Sequence, residues 1–151
     1  VHKDGLADPD VEATLAQLLF ATNPNQAVRH AEAALKNPTI KVESRLNALY
    51  ALASHHHSRR RPEKSLEYLD QLIRIRRSAL DWEMRGLCQL QQRKLPAAIQ
   101  SLETAVTIDP ELLPAHDLLA RLYDDLGKKT ESARHRRRIR RLQAIFRSRR
   151  R

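Results

Sequence analysis

Small side chains return along this chain at intervals of 33 or 34 residues, each time flanked by larger apolar ones. The clearest unit contains Trp82, Gly86, Ala98, Leu102, Ala105 and Pro110. Gly86 and Ala98 are small where two antiparallel helices would cross closely, and Trp82 and Leu102 fill the space beside that crossing. Pro110 closes the unit because it cannot donate the next helical hydrogen bond. His116, Leu119, Ala120 and Tyr123 stand 34 residues after Trp82, Arg85, Gly86 and Gln89, and Ser132 repeats Ala98. At 33 residues upstream, Leu49, Ala53, Ser65, Leu66, Leu69 and Leu72 answer Trp82, Gly86, Ala98, Ile99, Leu102 and Ala105. An earlier unit has Val11, Leu15, Leu18 and Leu19 as its first apolar stripe and Ala27, Ala31, Ala34 and Leu35 as its second. A period of this length predicts a stack of helical hairpins, each of which buries its apolar face on its neighbours.

Local signals agree with eight helices, near 9–21, 24–36, 40–57, 62–76, 79–92, 96–108, 114–126 and 130–147. Pro9, Pro24, Pro96 and Pro114 fall in first turns, where the missing donor costs nothing. Gly127 offers a C-terminal cap, and Ser78 to Asp81 reads as a capping box. Three glycines and 4% aromatic residues fit a helix-forming composition with no competing strand pattern.

The run from Ala79 to Pro110 resembles the tetratricopeptide repeat, whose signature is a Trp, a small residue four later, a spaced small–aromatic pair and a closing Pro. The resemblance implies an all-α chain: a right-handed α-solenoid of about four antiparallel hairpins, ended by a basic C-terminal capping helix. One domain over 1–147 would hold repeats near 8–45, 46–78, 79–112 and 113–147, with 148–151 a frayed Arg-rich tail. Arg85 and Gln89 depart from the pattern, standing where a large apolar residue and an aromatic are usual, and His56 holds the matching aromatic site upstream.

In this family the first helix of each hairpin lines the ligand groove. The resemblance therefore implies a face of Glu12 and Ala16, then Tyr50, Ser54 and His57, then Glu83, Leu87 and Leu90, then Asp117, Arg121 and Asp124. Some relatives grip acidic peptide C-termini with a clamp of Lys, Arg and Asn on this face. Here the matching places hold Glu12, Tyr50, Ser54, Met84, Leu87 and Leu118, which cannot bind carboxylates. A groove with Glu83, Asp117, Asp124 and Asp125 suits a peptide with a basic or amphipathic segment.

The net charge of +10 is localised. Arg134, Arg136, Arg137, Arg138, Arg140, Arg141, Arg147, Arg149, Arg150 and Arg151 fall in a final stretch without an acid, so the remaining 18 basic residues balance all 18 acids. Within it Ile139, Leu142, Ile145 and Phe146 recur at helical spacing. One reading is a cap whose apolar face covers the last hairpin; the other is an electrostatic site for nucleic acid or an anionic membrane. His55, His56 and His57 are consecutive on a helix and point about 100° apart, so no shared metal is expected. The single Cys88 lies on the helix of Gly86 and reads as a small buried hydrophobe.

No Gly-rich phosphate loop, nucleophile elbow or zinc-protease element is present, so neither catalysis nor a cofactor is expected. No run has the eighteen or so apolar residues of a membrane span; the chain reads as soluble, in cytoplasm or periplasm. The Val start suggests a processed product or a segment of a larger protein, and basic-ended repeats of this kind resemble those appended to bacterial enzymes or multihaem cytochromes. The sequence thus points to a non-catalytic scaffold for a protein or peptide partner, leaving the partner and the oligomeric state open.

Overall fold

The computed structural model describes residues 7–149, and eight helices run through them: α1 (Pro9–Leu19), α2 (Pro24–Lys36), α3 (Val42–Ser58), α4 (Pro62–Ile75), α5 (Ala79–Gln91), α6 (Leu95–Ile108), α7 (Leu113–Asp125) and α8 (Lys129–Ser148). Successive helices pair as hairpins: α1 with α2, α3 with α4, α5 with α6, α7 with α8. The chain divides between Arg76 and Arg77 into two compact units of two hairpins each. In the first unit α3 packs on both α1 and α2; in the second α6 packs on α7.

Helix starts follow from the prolines. Pro9, Pro24, Pro62, Pro96 and Pro114 all occupy a first turn, and Asp8 and Asn23 cap α1 and α2 through their side chains. Ser78 precedes α5, but its side chain makes no cap hydrogen bond and Asp81 is fully buried, so the expected capping box does not form. The turns within the last three hairpins repeat one another. Arg60, Arg93 and Gly127 each take a left-handed backbone, with φ of 54°, 59° and 70°. After each of them an amide closes onto the last turn of the preceding helix: Arg61 to His56 O, Lys94 to Gln89 O, Lys128 to Tyr123 O. This is a Schellman closure, recurring at the same interval as the small residues.

Those small residues sit where the helices cross. In the third hairpin a methyl on Gly86 would lie 2.8 Å from Leu102 Cγ and 3.3 Å from the Ala98 carbonyl. In the second, Ser65 Oγ donates to the Ala53 carbonyl at 2.8 Å. Ala120 and Ser132 hold the same places in the fourth and are buried. Cys88 is fully buried, as its position predicted.

The first hairpin reverses one expectation. Its buried residues are Pro9, Ala13 and Ala16 on α1 and Ala27, Ala31 and Ala34 on α2, while Val11, Leu15 and Leu18 are exposed. Alanines let α1, α2 and α3 approach closely around a core completed by Ile40, Ala48 and Leu52, which leaves the larger side chains of α1 facing outward.

Polar residues replace aromatics at two repeat positions, with different outcomes. Gln89 meets Arg85 Nη1 at 2.9 Å through its amide oxygen and donates from its nitrogen to Ala97 O at 2.9 Å and Ser101 Oγ at 2.7 Å, so its bonding capacity is used. His56 stacks on Tyr68 at 5.7 Å, but both its buried ring nitrogens lack a hydrogen-bond partner. Burial, with the nearby charges of His55, Lys64 and Arg61, lowers its pKa. Removing two orphaned nitrogens while keeping the ring should help. His56→Phe is expected to raise stability by about 1–2 kcal/mol, read as a higher urea midpoint at unchanged slope; a lower midpoint would mean that the imidazole is satisfied.

Candidate functional site

The residues expected to line a partner groove lie on α1, α3, α5 and α7. On α1, Ala16 is fully buried in the core and offers a partner no surface, a correction to its expected role. Glu12 is tied to α2 by His30 Nδ1 at 2.5 Å. On α3, Tyr50, Ser54 and His57 are half-buried. The Arg76 guanidinium lies 5.5 Å from the Tyr50 ring centroid, a cation–π arrangement, and burial lowers the His57 pKa.

On α5, Glu83, Leu87 and Leu90 lie at positions i, i+4 and i+7, so they share a stripe, and all three are half-buried. Burial alone raises the Glu83 pKa, with no charged or hydrogen-bonding contribution, and among the described residues nothing pairs with its carboxylate. On α7 the register-equivalent stripe is Asp117, Arg121 and Asp124. Arg121 pairs with Asp117 at 2.5 Å. Asp124 is claimed by Arg136 of α8, and hydrogen bonds from Ser132 and Arg136 hold its carboxyl below the usual range. The acids of these stripes are therefore unequal: among the described residues Glu12, Asp117 and Asp124 have partners, and Glu83 has none.

A second cluster, which sequence reasoning did not assemble, joins α6, α7 and α8. Glu103 Oε1 accepts from Tyr123 Oη at 2.9 Å, Arg134 Nη2 at 2.8 Å and His135 Nε2 at 3.0 Å. His135 Nδ1 lies 2.9 Å from His116 Nδ1, and His116 Nε2 lies 3.1 Å from the Pro110 carbonyl. His116 Nε2 donates to the Pro110 carbonyl, and one hydrogen lies between the two Nδ1 atoms. His135 Nε2 stands between the Glu103 carboxylate and Arg134 Nη2, the latter at 3.3 Å. Burial opposes ionisation of Glu103, but the hydrogen bonds from His135 and Tyr123 and the charges of His135 and Arg134 outweigh it and lower its pKa. Burial and the Glu103 carboxylate push the Tyr123 hydroxyl up to about 12. Arg138 Nε also donates to Pro110 O, at 3.0 Å. A cavity of about 270 Å³ opens here, lined in part by Glu103, His116, Arg134 and Arg138. The available signal in the sequence was His116 at the repeat position of Trp82.

The remaining candidates divide by place. Arg134, Arg136 and Arg138 of α8 contact α6, α7 or the Pro110 loop, whereas Arg137, Arg140, Arg141, Arg147 and Arg149 are exposed; Arg150 and Arg151 lie outside the described residues. His55 is edge-on to His56 and tilted against Phe20, so the three consecutive histidines do not converge. Among the described residues no group of three or more His, Cys, Asp and Glu could hold a metal ion, and no helix is long and apolar enough to cross a membrane.

Paired helices whose crossings and turns recur at one interval define a helical-hairpin repeat protein. Residues 17–80 match the family model of the tetratricopeptide repeat, and that stretch is similar to the repeat. Solved structures show the same fold. A crystal structure of MamA aligns with a TM-score of 0.84 at 16% identity, over 97% of this chain and 84% of that one. A MamA RS-1 ArsTM double mutant aligns at 0.82 with 19% identity, over 93% and 78%. A monomeric mutant of IFIT1 with Gppp-AAAA aligns at 0.68 with 21% identity, over 87% of this chain and 33% of that one. None of the curated proteins compared matches this chain.

Proposed function

We propose that this chain is a non-catalytic scaffold that binds a protein or peptide partner along the first helices of its hairpins, and that the partner segment is basic and amphipathic. The observation that carries this reading is the half-buried Glu83 carboxylate, unpaired among the described residues, at the head of a stripe that continues through Leu87 and Leu90 on α5. A carboxylate held partly out of water gains from a cation brought by a ligand, and the leucines further along the stripe supply apolar contact. The tetratricopeptide match over residues 17–80 supports the same class of function.

Selection from a displayed peptide library against the intact chain tests this. Enriched peptides should carry Lys or Arg beside apolar residues. Glu83→Gln should weaken them about tenfold, the scale of one charge-assisted hydrogen bond, with smaller losses in Tyr50→Ala and Arg121→Ala. Affinity unchanged in all three variants would remove this face as the binding site.

A further inference from the structure

Helix α8 keeps a row of arginines that the fold does not use. Its buried positions, Ser132, His135 and Leu142, lie on one side, and Ile139 and Phe146 fall on that side by helical register. Arg137, Arg140 and Arg141 fall on the opposite side, within an arc of about 100°, and all three are exposed. Among the described residues none of the three has a carboxylate partner, and the one acid of α8 is Glu131, near its start. Arg140 also reaches a cleft of about 250 Å³ between α7 and α8, lined by Asp117, Ala120, Arg121, Arg136 and Ile139. Two guanidiniums of that cleft are committed to Asp117 and Asp124; that of Arg140 is not.

We infer that this crest of α8 is a binding surface for the phosphodiester backbone of nucleic acid, read without regard to base sequence. Like charges at i, i+3 and i+4 repel, and bound counterions relieve that repulsion. A polyphosphate releases counterions from both partners as it docks, and this drives association. A duplex carries a charge every ~1.7 Å of its axis, so three cations along one turn of helix find phosphates in any register. Nothing aromatic lies on the crest, so base stacking is absent and binding is electrostatic. The crest also lacks what a membrane surface requires. An interfacial helix inserts its apolar face between lipids, but here Leu142 is buried in the protein, and the residues interleaved with the outward arginines are Ala133, Ala144 and Ser148. Ile145 is 40% exposed but sits at the flank of the crest.

The test uses a fluorescein-labelled, mixed-sequence DNA duplex titrated with the full chain across a series of salt concentrations. A triple variant, Arg137→Gln with Arg140→Gln and Arg141→Gln, is compared with a charge-matched control, Arg29→Gln with Lys36→Gln and Arg74→Gln. The crest variant should bind at least about tenfold more weakly at low salt and lose about three from the slope of log affinity against log salt; the control should keep the parent slope. Circular dichroism should show unchanged helicity in both, because every substituted side chain is exposed. Equal losses in the two variants would reduce the crest to general charge and overturn the inference. So would failure of the parent chain to bind the duplex, and binding instead to phosphatidylserine–phosphatidylcholine vesicles through the same arginines would assign the surface to membranes. None of these results tests the peptide site at Glu83 and Tyr50, which lie on α5 and α3.

Discussion

Gly86→Leu is expected to destabilise the unit that begins at Arg77 by about 4 kcal/mol or more, enough to leave it largely unfolded. The reason is geometric. A single methyl at Gly86 already lies 2.8 Å from Leu102 Cγ and 3.1 Å from Leu102 Cδ2, with the Ala98 carbonyl behind them at 3.3 Å. Leu102 and Ala98 are both fully buried, so neither can swing aside into solvent. Gly86→Ala is the graded control. Its clash costs about 1–3 kcal/mol, and the better helix propensity of Ala returns about 1 kcal/mol. Trp82, the chain's one tryptophan, lies a turn away on the same helix and reports locally. Urea unfolding followed by its fluorescence should shift slightly for Ala and collapse for Leu. A Leu variant with the parent's midpoint would show that the two helices do not touch at Gly86.

Glu103→Ala should cost about 2–3 kcal/mol, the scale of losing hydrogen bonds to a charged acceptor. The substitution removes the one acceptor shared by Tyr123, Arg134 and His135, at a site where His135 is 2% exposed. Acid should attack the same cluster. Protonating both rings would place hydrogens on both Nδ1 atoms, which lie 2.9 Å apart. Burial, with the charges of His135 and Arg138, accordingly lowers the His116 pKa, against the raising effect of the Pro110 carbonyl and Glu103. A base whose folded pKa is depressed contributes stability that is complete above its unfolded value, about 6.5, and lost as the pH falls through the folded one. His55, His56 and His57 are shifted the same way, each chiefly by burial. Glu103 adds a later loss, since its lowered pKa supplies stability above about pH 4.3 that disappears further into acid. The urea midpoint of the parent should therefore hold on the alkaline side of about pH 6.5 and fall on the acid side, before carboxylates titrate. A midpoint that is flat down to the carboxylate range would show that these rings are protonated at no cost in the fold.

The groove was partly legible and partly not. Repeat register placed Glu83, Leu87 and Leu90 on one stripe, and Asp117, Arg121 and Asp124 on its equivalent. It did not distinguish a free acid from a neutralised one. Glu12 and Asp124 are held by His30 and Arg136, from positions 18 and 12 residues away, and such pairing depends on which helix lies alongside. The exposed stripe of α1 was misjudged for a related reason. Val11, Leu15 and Leu18 have the spacing of a core face, but Ala13 and Ala16 permit the closer approach, and burial went to them.

What the sequence alone determined is the repeat. Helix lengths, proline starts, the left-handed turn at Gly127 and the small residues at the crossings are local matters, governed by backbone sterics and by side-chain volume at a fixed interval. The tertiary structure decided the polar chemistry. Whether Gln89 is satisfied, His56 orphaned, Glu83 unpaired or His135 locked against Glu103 depends on atoms from other helices arriving within hydrogen-bond distance, and no periodicity along one chain encodes those meetings.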